Sequence, residues 1–149
     1  MENKAGLLFS TKQHLLLTPL LEIQGILPLK SLTRVPGMKS WLKGLASYQS
    51  EIFPVTDLAQ FILNTPSDCT KDSRILVVSL QESKVGLLVE RVHEMLRFTQ
   101  QTFAEESLQD GGEFSSYMIG AHMHQQRKIP IISCQLIVNS HNFVDVMES

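Results

Sequence analysis

Residues 74–89 decide how this chain folds: Arg74-Ile75-Leu76-Val77-Val78-Ser79-Leu80, then Gln81-Glu82-Ser83-Lys84, then Val85-Gly86-Leu87-Leu88-Val89. Two short apolar runs, rich in β-branched residues and joined by four polar ones, predict a β-hairpin with a loose turn. The signal returns near the C-terminus, where Tyr117 to Met123 and Ile129 to Ile132 flank Gln125-Gln126-Arg127-Lys128. Upstream, Gly and Pro cut the chain into short segments. Leu15-Leu16-Leu17 is followed by Pro19, Ile23 to Leu29 contains Gly25 and Pro28, and Ile52-Phe53 is expected to end at Pro54. Helices are few. Asp57 has capping-box spacing to Gln60, and Leu58, Phe61 and Ile62 share a face, which predicts a two-turn helix. Ser133 to Val138 and Met38 to Leu42 suggest two more, while Val89, Val92 and Leu96 suit helix or strand equally. Asn64 to Ser73 reads as loop. The pattern is mainly β: small barrels with a few short helices.

The chain has 149 residues, with no repeat and no linker long enough to separate domains, so one domain over 1–149 is expected. Residues 1–6 are expected to be a flexible N-terminus. Hydrophobic residues make up 43% and charged ones 19%, which excludes a disordered or collagen-like chain. A net charge of −2 provides no general attraction to nucleic acid or anionic membrane. Glu22 and Lys30 interrupt the leucine-rich start, so no direct membrane insertion is expected. Cys69 and Cys134 have no CxxC or Cys/His company, and two buried thiols in a reducing cytoplasm are the expectation.

Candidate chemistry is sparse. His122 and His124 stand two apart, so on a strand both imidazoles point the same way and could share a metal. A barrel metalloenzyme would need a further carboxylate close by, whereas Gln125-Gln126-Arg127-Lys128 follows. His93 sits in Glu90-Arg91-Val92-His93-Glu94, charges that a solvated face would carry anyway. There is no GxSxG, P-loop, HExxH or GxGxxG, and neither a catalytic group nor a cofactor is expected. Lys30, Arg34, Lys39 and Lys43 form an acid-free stretch, either a docking surface for an acidic partner or a solvated rim. Nucleic acid would want interleaved aromatics, and Trp41 stands alone there. Glu105, Glu106, Asp110 and Glu113 read as a solvated loop.

Residues 41–58, Trp41-Leu42-Lys43-Gly44-Leu45-Ala46-Ser47-Tyr48-Gln49-Ser50-Glu51-Ile52-Phe53-Pro54-Val55-Thr56-Asp57-Leu58, resemble the CheW family of chemotaxis coupling proteins. The family's pattern there is Gly-Val-x-Asn-Leu-Arg-Gly, three residues, Pro-Val-x-Asp-Leu, and Gly44, Pro54, Asp57 and Leu58 fall in register. Ile23-x-x-Ile26 with Thr33-Arg34-Val35-Pro36 resembles its V-x-E-I and t-x-V-P stretch. Residues 74–80 and 85–92 resemble its central hairpin, Tyr117-Met118-Ile119-Gly120 a later strand, and Ile131 to Val138 its closing helix. The departures are specific. Ser47-Tyr48-Gln49-Ser50 replaces Asn-Leu-Arg-Gly, removing a cation and a turn glycine, and Gly25 stands where the family has an acid. This divergence, with the tail Asn142-Phe143-Val144-Asp145-Val146, is similar to the PilI-like branch serving type IV pilus twitching systems.

The resemblance implies two small five-stranded SH3-like barrels on a shared core. It implies a non-enzymatic adaptor between the regulatory domain of a CheA-type histidine kinase and the cytoplasmic tip of a methyl-accepting chemoreceptor. Position by position, it places Ile23, Gly25 and Gly44 on the kinase-facing surface, and Gln49, Gly86, Val92 and Met95 on the receptor-facing groove. Gly44 would be a point of close approach by the partner, so Gly44→Asp is expected to leave the fold intact and block the kinase. Met95 suits a groove that adapts to a partner helix. With Gln49 in the arginine's place, a charge-assisted contact to the receptor would be lost, which raises an alternative: an array component that touches no receptor.

Overall fold

The computed structural model describes residues 4–37, 42–99 and 112–143. Two antiparallel hairpins open and close one five-stranded sheet. These are β1 (Lys4–Thr11) with β2 (His14–Pro19), and β9 (Met118–His124) with β10 (Arg127–Ile132); β8 (Arg91–Phe98) completes the order β8-β1-β2-β10-β9. The second sheet uses the middle of the chain: β3 (Gly25–Pro28), β4 (Leu42–Tyr48), β5 (Glu51–Asp57), β6 (Arg74–Leu80) and β7 (Ser83–Val89), ordered β3-β6-β7-β5-β4. We refer to them as barrels A and B. The described residues also include two short α-helices, α1 (Leu58–Leu63) and α2 (Cys134–Val138), and three 3-10 turns. Both expected hairpins form, and residues 91–98 resolve as strand.

The side-chain period of two, applied to strands that are apolar on both faces, explains why the barrels adhere. Along β6, Ile75 and Val77 fill the interior of barrel B, while Leu76 and Val78 point into a second core shared with barrel A. Along β1 and β2, Leu8 and Leu17 fill barrel A, while Leu7, Phe9 and Leu16 enter the shared core. Ile131 and Ile132 of β10 alternate in the same way, Ile131 filling barrel A and Ile132 the shared core, and the register with β9 skips Ile119 at this point.

Several expectations need correcting. The run Ile52-Phe53 does not stop at Pro54, because β5 continues to Asp57. Pro54 lies opposite Leu45, whose N–H and C=O bond Thr33 on the far side (2.8 and 2.7 Å), and pairing with β7 begins only at Val55. The missing N–H is therefore not needed. Lys4 to Gly6 pair with Phe98, Arg97 and Leu96, so they do not belong to a flexible N-terminus; residues 1–3 lie outside the described residues. Of the expected helix at Met38 to Leu42, residues 38–41 lie outside them too, and Leu42 opens β4. So do Trp41, residues 105–110 and 144–146. Cys134 is fully buried as expected, but Cys69 is exposed; both are free thiols. Burial, partly offset by the Thr18 hydroxyl, pushes the Cys134 thiol up to about 12.

Asp57 ties barrel B to the loop after it. It caps α1, accepting from the N–H groups of Ala59 (3.0 Å) and Gln60 (3.3 Å), and it also accepts from Ser67 N (2.8 Å) and Ser67 Oγ (2.6 Å). The reciprocal half of a capping box is absent, since the Gln60 amide turns to Asn64 Oδ1 instead. The loop continues to barrel A: Asp68 N and Lys12 N both donate to Glu90, and Lys12 Nζ reaches Asp68 at 2.9 Å. Asp57→Ala strands these buried donors, and a loss of about 2–4 kcal/mol in urea unfolding is expected. Thiol titration at pH 8 should count one reactive cysteine in the native protein and two after denaturation, because only Cys69 meets solvent.

Candidate functional site

The positions expected to face a kinase all lie in or next to barrel B. Strand β3 pairs only with β6 and so lies at a sheet edge. Ile23, just before it, is half-buried and packs on the shared core, whereas Ile26 is 39% exposed and projects from the strand. In the sequence Ile26 is one apolar residue of a motif; the structure shows it exposed on the edge strand. Gly25 faces the ring of Tyr48 on β4, and a Cβ on Gly25 would stand 2.8 Å from the ring carbon Cζ. The Tyr48 hydroxyl donates to the carbonyl of Gln24 (3.1 Å). The glycine at 25 and the tyrosine at 48 are thus two halves of one fit, with the ring covering the space an acidic side chain would need.

Gly44 is a different case. It is buried at φ +153°, and a Cβ there would meet the Thr33 carbonyl oxygen at 2.2 Å. That carbonyl belongs to the bridge between Thr33 and Leu45, which joins the segment after β3 to β4. The close approach expected from a partner is made by the chain itself. Gly44→Asp would therefore break barrel B rather than leave the fold intact.

The positions expected to face a receptor divide between the barrels. Gln49 is exposed in the two-residue turn between β4 and β5, where Gln49 (φ 51°) and Ser50 (φ 67°) both take the left-handed conformation. Gly86 is buried on β7, with Ile75, Val55 and Phe53 crowding the place of a Cβ, so it packs barrel B and presents nothing outward. Val92 and Met95 lie on β8 of barrel A. Val92 is half-buried on the shared core, and Met95 is 65% exposed beside Leu7 of β1.

His122 and His124 do share a face of β9, their rings stacked with centroids 6.2 Å apart. His124 Nε2 lies 3.7 Å from Glu94 of β8, while the His122 ring meets Phe98. Burial, then the neighbouring His124, holds His122 below the ordinary imidazole range. Among the described residues no three His, Cys, Asp or Glu side chains are grouped to hold a metal ion. Of the four cations between 30 and 43, Lys43 leans toward the buried Asp57 carboxylate at 3.8 Å, and Lys39 lies outside the described residues. No helix among the described residues is long and apolar enough to cross a membrane.

Two five-stranded barrels on a common core define the architectural class of this chain. The chain belongs to the CheW-like domain family, whose model matches residues 5–142. It is 26% identical over 146 residues to protein PilI of Pseudomonas aeruginosa, covering 98% of this chain and 82% of that one. It is 32% identical over 78 residues to the chemotaxis protein CheW of Thermotoga maritima, about half of each chain. Among solved structures, the scaffolding protein TtCheW from Thermoanaerobacter tengcongensis superposes with a TM-score of 0.69 over 95% of this chain and 92% of its own, at 20% identity.

The geometry makes a paired prediction. Gly25→Glu alone should weaken folding by about 1–3 kcal/mol, and Tyr48→Leu in the same chain should recover most of that loss. Gly44→Asp should give little folded protein, read by circular dichroism and thermal unfolding. A folded Gly44→Asp protein would contradict the assignment of Gly44 to the barrel's own closure.

Proposed function

We propose that this protein is a non-enzymatic adaptor, placed in the cytoplasm, that couples chemoreceptor tips to a CheA-type histidine kinase in a chemotaxis or type IV pilus system. The observation that carries this reading is the family match across residues 5–142, on a fold that offers separate faces for two partners. The kinase's regulatory domain would meet the β3 edge, with Ile23, Ile26 and the Gly25–Tyr48 surface as the contact and Gly44 as its internal support. The receptor tip would lie against Val92 and Met95, with Gln49 at the margin and Gly86 setting the packing beneath. Affinity in such contacts comes from a few desolvated anchors, and exposed Ile26 and Met95 are of that kind. Because one core holds both barrels, a receptor bound on one face and a kinase on the other share a rigid body. A change in either shifts the other by its differential affinity for this body.

One observation favours a second reading, an array component without receptor contact. Gln49 offers no charge where the family places arginine, and a charge-assisted hydrogen bond contributes about 1.5–3 kcal/mol.

Titration calorimetry against the regulatory domain of the CheA-type kinase from the same organism should show binding in the micromolar range, about −8 kcal/mol. Ile26→Asp should weaken it at least about tenfold without loss of fold. Absence of heat and of a complex would remove the kinase from the proposal. Gln49→Arg should increase co-sedimentation with receptor-bearing membranes about tenfold. Measurable wild-type co-sedimentation supports the adaptor reading, and its absence alongside kinase binding supports the second.

A further inference from the structure

Barrel A carries a groove that the adaptor reading touches only at Val92. Strands β8 and β9 stand at opposite ends of the sheet order, and their approach rests on side chains: His124 to Glu94 and His122 to Phe98. At that seam lies an open groove of about 480 Å3. Its floor is Leu8 and Leu15, the apolar lining of barrel A, and its rim is Arg91, His93, His124 and Arg127. Arg91 and Arg127 are exposed and form no ion pair among the described residues. The one acid on the rim, Glu94, already faces His124. A chain with net charge −2 thus gathers two unneutralised guanidinium groups around an apolar floor.

We propose that this groove binds an acidic peptide segment of a partner protein, with an aliphatic side chain seated on Leu8 and Leu15 and carboxylates paired to Arg91 and Arg127. The planar guanidinium fork suits carboxylates, and two such contacts on either side of an apolar anchor fix a peptide's register. The volume fits one large aliphatic side chain with its flanking backbone. The stretch from Lys30 to Lys43 is the weaker place for such a partner, because Lys43 is drawn toward Asp57. Val92 lines the groove and also borders the receptor surface proposed above, so the peptide is tested without receptor or kinase.

The test is fluorescence anisotropy of the full chain with a fluorescein-labelled twelve-residue peptide of Glu and Asp around a central Leu. Saturable 1:1 binding is expected, about tenfold weaker when NaCl rises from about 50 to about 300 mM. Arg91→Glu with Arg127→Glu should weaken it more than about tenfold, and so should Ala in place of the peptide's Leu. Arg91→Gln with Arg127→Gln is the milder pair, decisive if the charge reversal fails to fold. Lys30→Glu with Arg34→Glu should leave binding unchanged. Absence of saturable binding, or equal loss from both charge-reversed pairs, overturns the proposal. Tighter binding of a single-stranded oligonucleotide of equal charge at the same arginines overturns it too, in favour of a nucleic-acid groove.

Discussion

Every other feature of the molecule depends on strands that are buried on both faces. Leu76 and Val78 cannot reach water on one side of β6, nor Ile75 and Val77 on the other, so barrel B needs a partner surface of equal apolarity. Barrel A supplies it with Leu7, Phe9 and Leu16, and α2 with Phe143 closes the gap between them. Burial at about 25 cal/mol per Å2 makes separation of the barrels costly, which is why a fold of two small sheets behaves as one body. That rigidity is the property a scaffold requires.

The glycines show how tightly this body is built. Gly86 admits Ile75 and Val55 to the centre of barrel B, and Gly44 lets the Thr33 carbonyl close its rim. Both positions sit in register with family motifs, and sequence position alone cannot distinguish a residue touched by a partner from one touched by its own chain. Gly25 carries the opposite lesson. It loses the acid of the family pattern, and in the same region Tyr48 replaces a leucine; only the folded chain brings the two together, with the ring above the glycine and the phenol on the Gln24 carbonyl.

The buried acid Asp57 and the half-buried Glu90 hold the long loop of residues 64–73 against both barrels. The loop is recognisable from its Asn, Thr, Pro, Ser and Asp content, and the cap at Asp57 from its spacing to Gln60. That a single carboxylate serves both was not legible, because Ser67 lies ten residues on and has no motif.

Composition and local pattern by themselves determined a mainly β molecule, the two later hairpins, the capped helix after Asp57 and the closing helix after Ser133. Each is written within about fifteen residues, where periodicity and turn chemistry act. The hairpin of β1 and β2 escaped notice because its turn, Lys12-Gln13, takes left-handed angles without the Gly or Asn that advertises them. Tertiary structure alone decided the rest: the course of β5 through Pro54, the exposure of Ile26 and Met95, and the convergence of Arg91 and Arg127 at one seam. These depend on which distant strand lies alongside, and so on contacts that no local window of sequence contains.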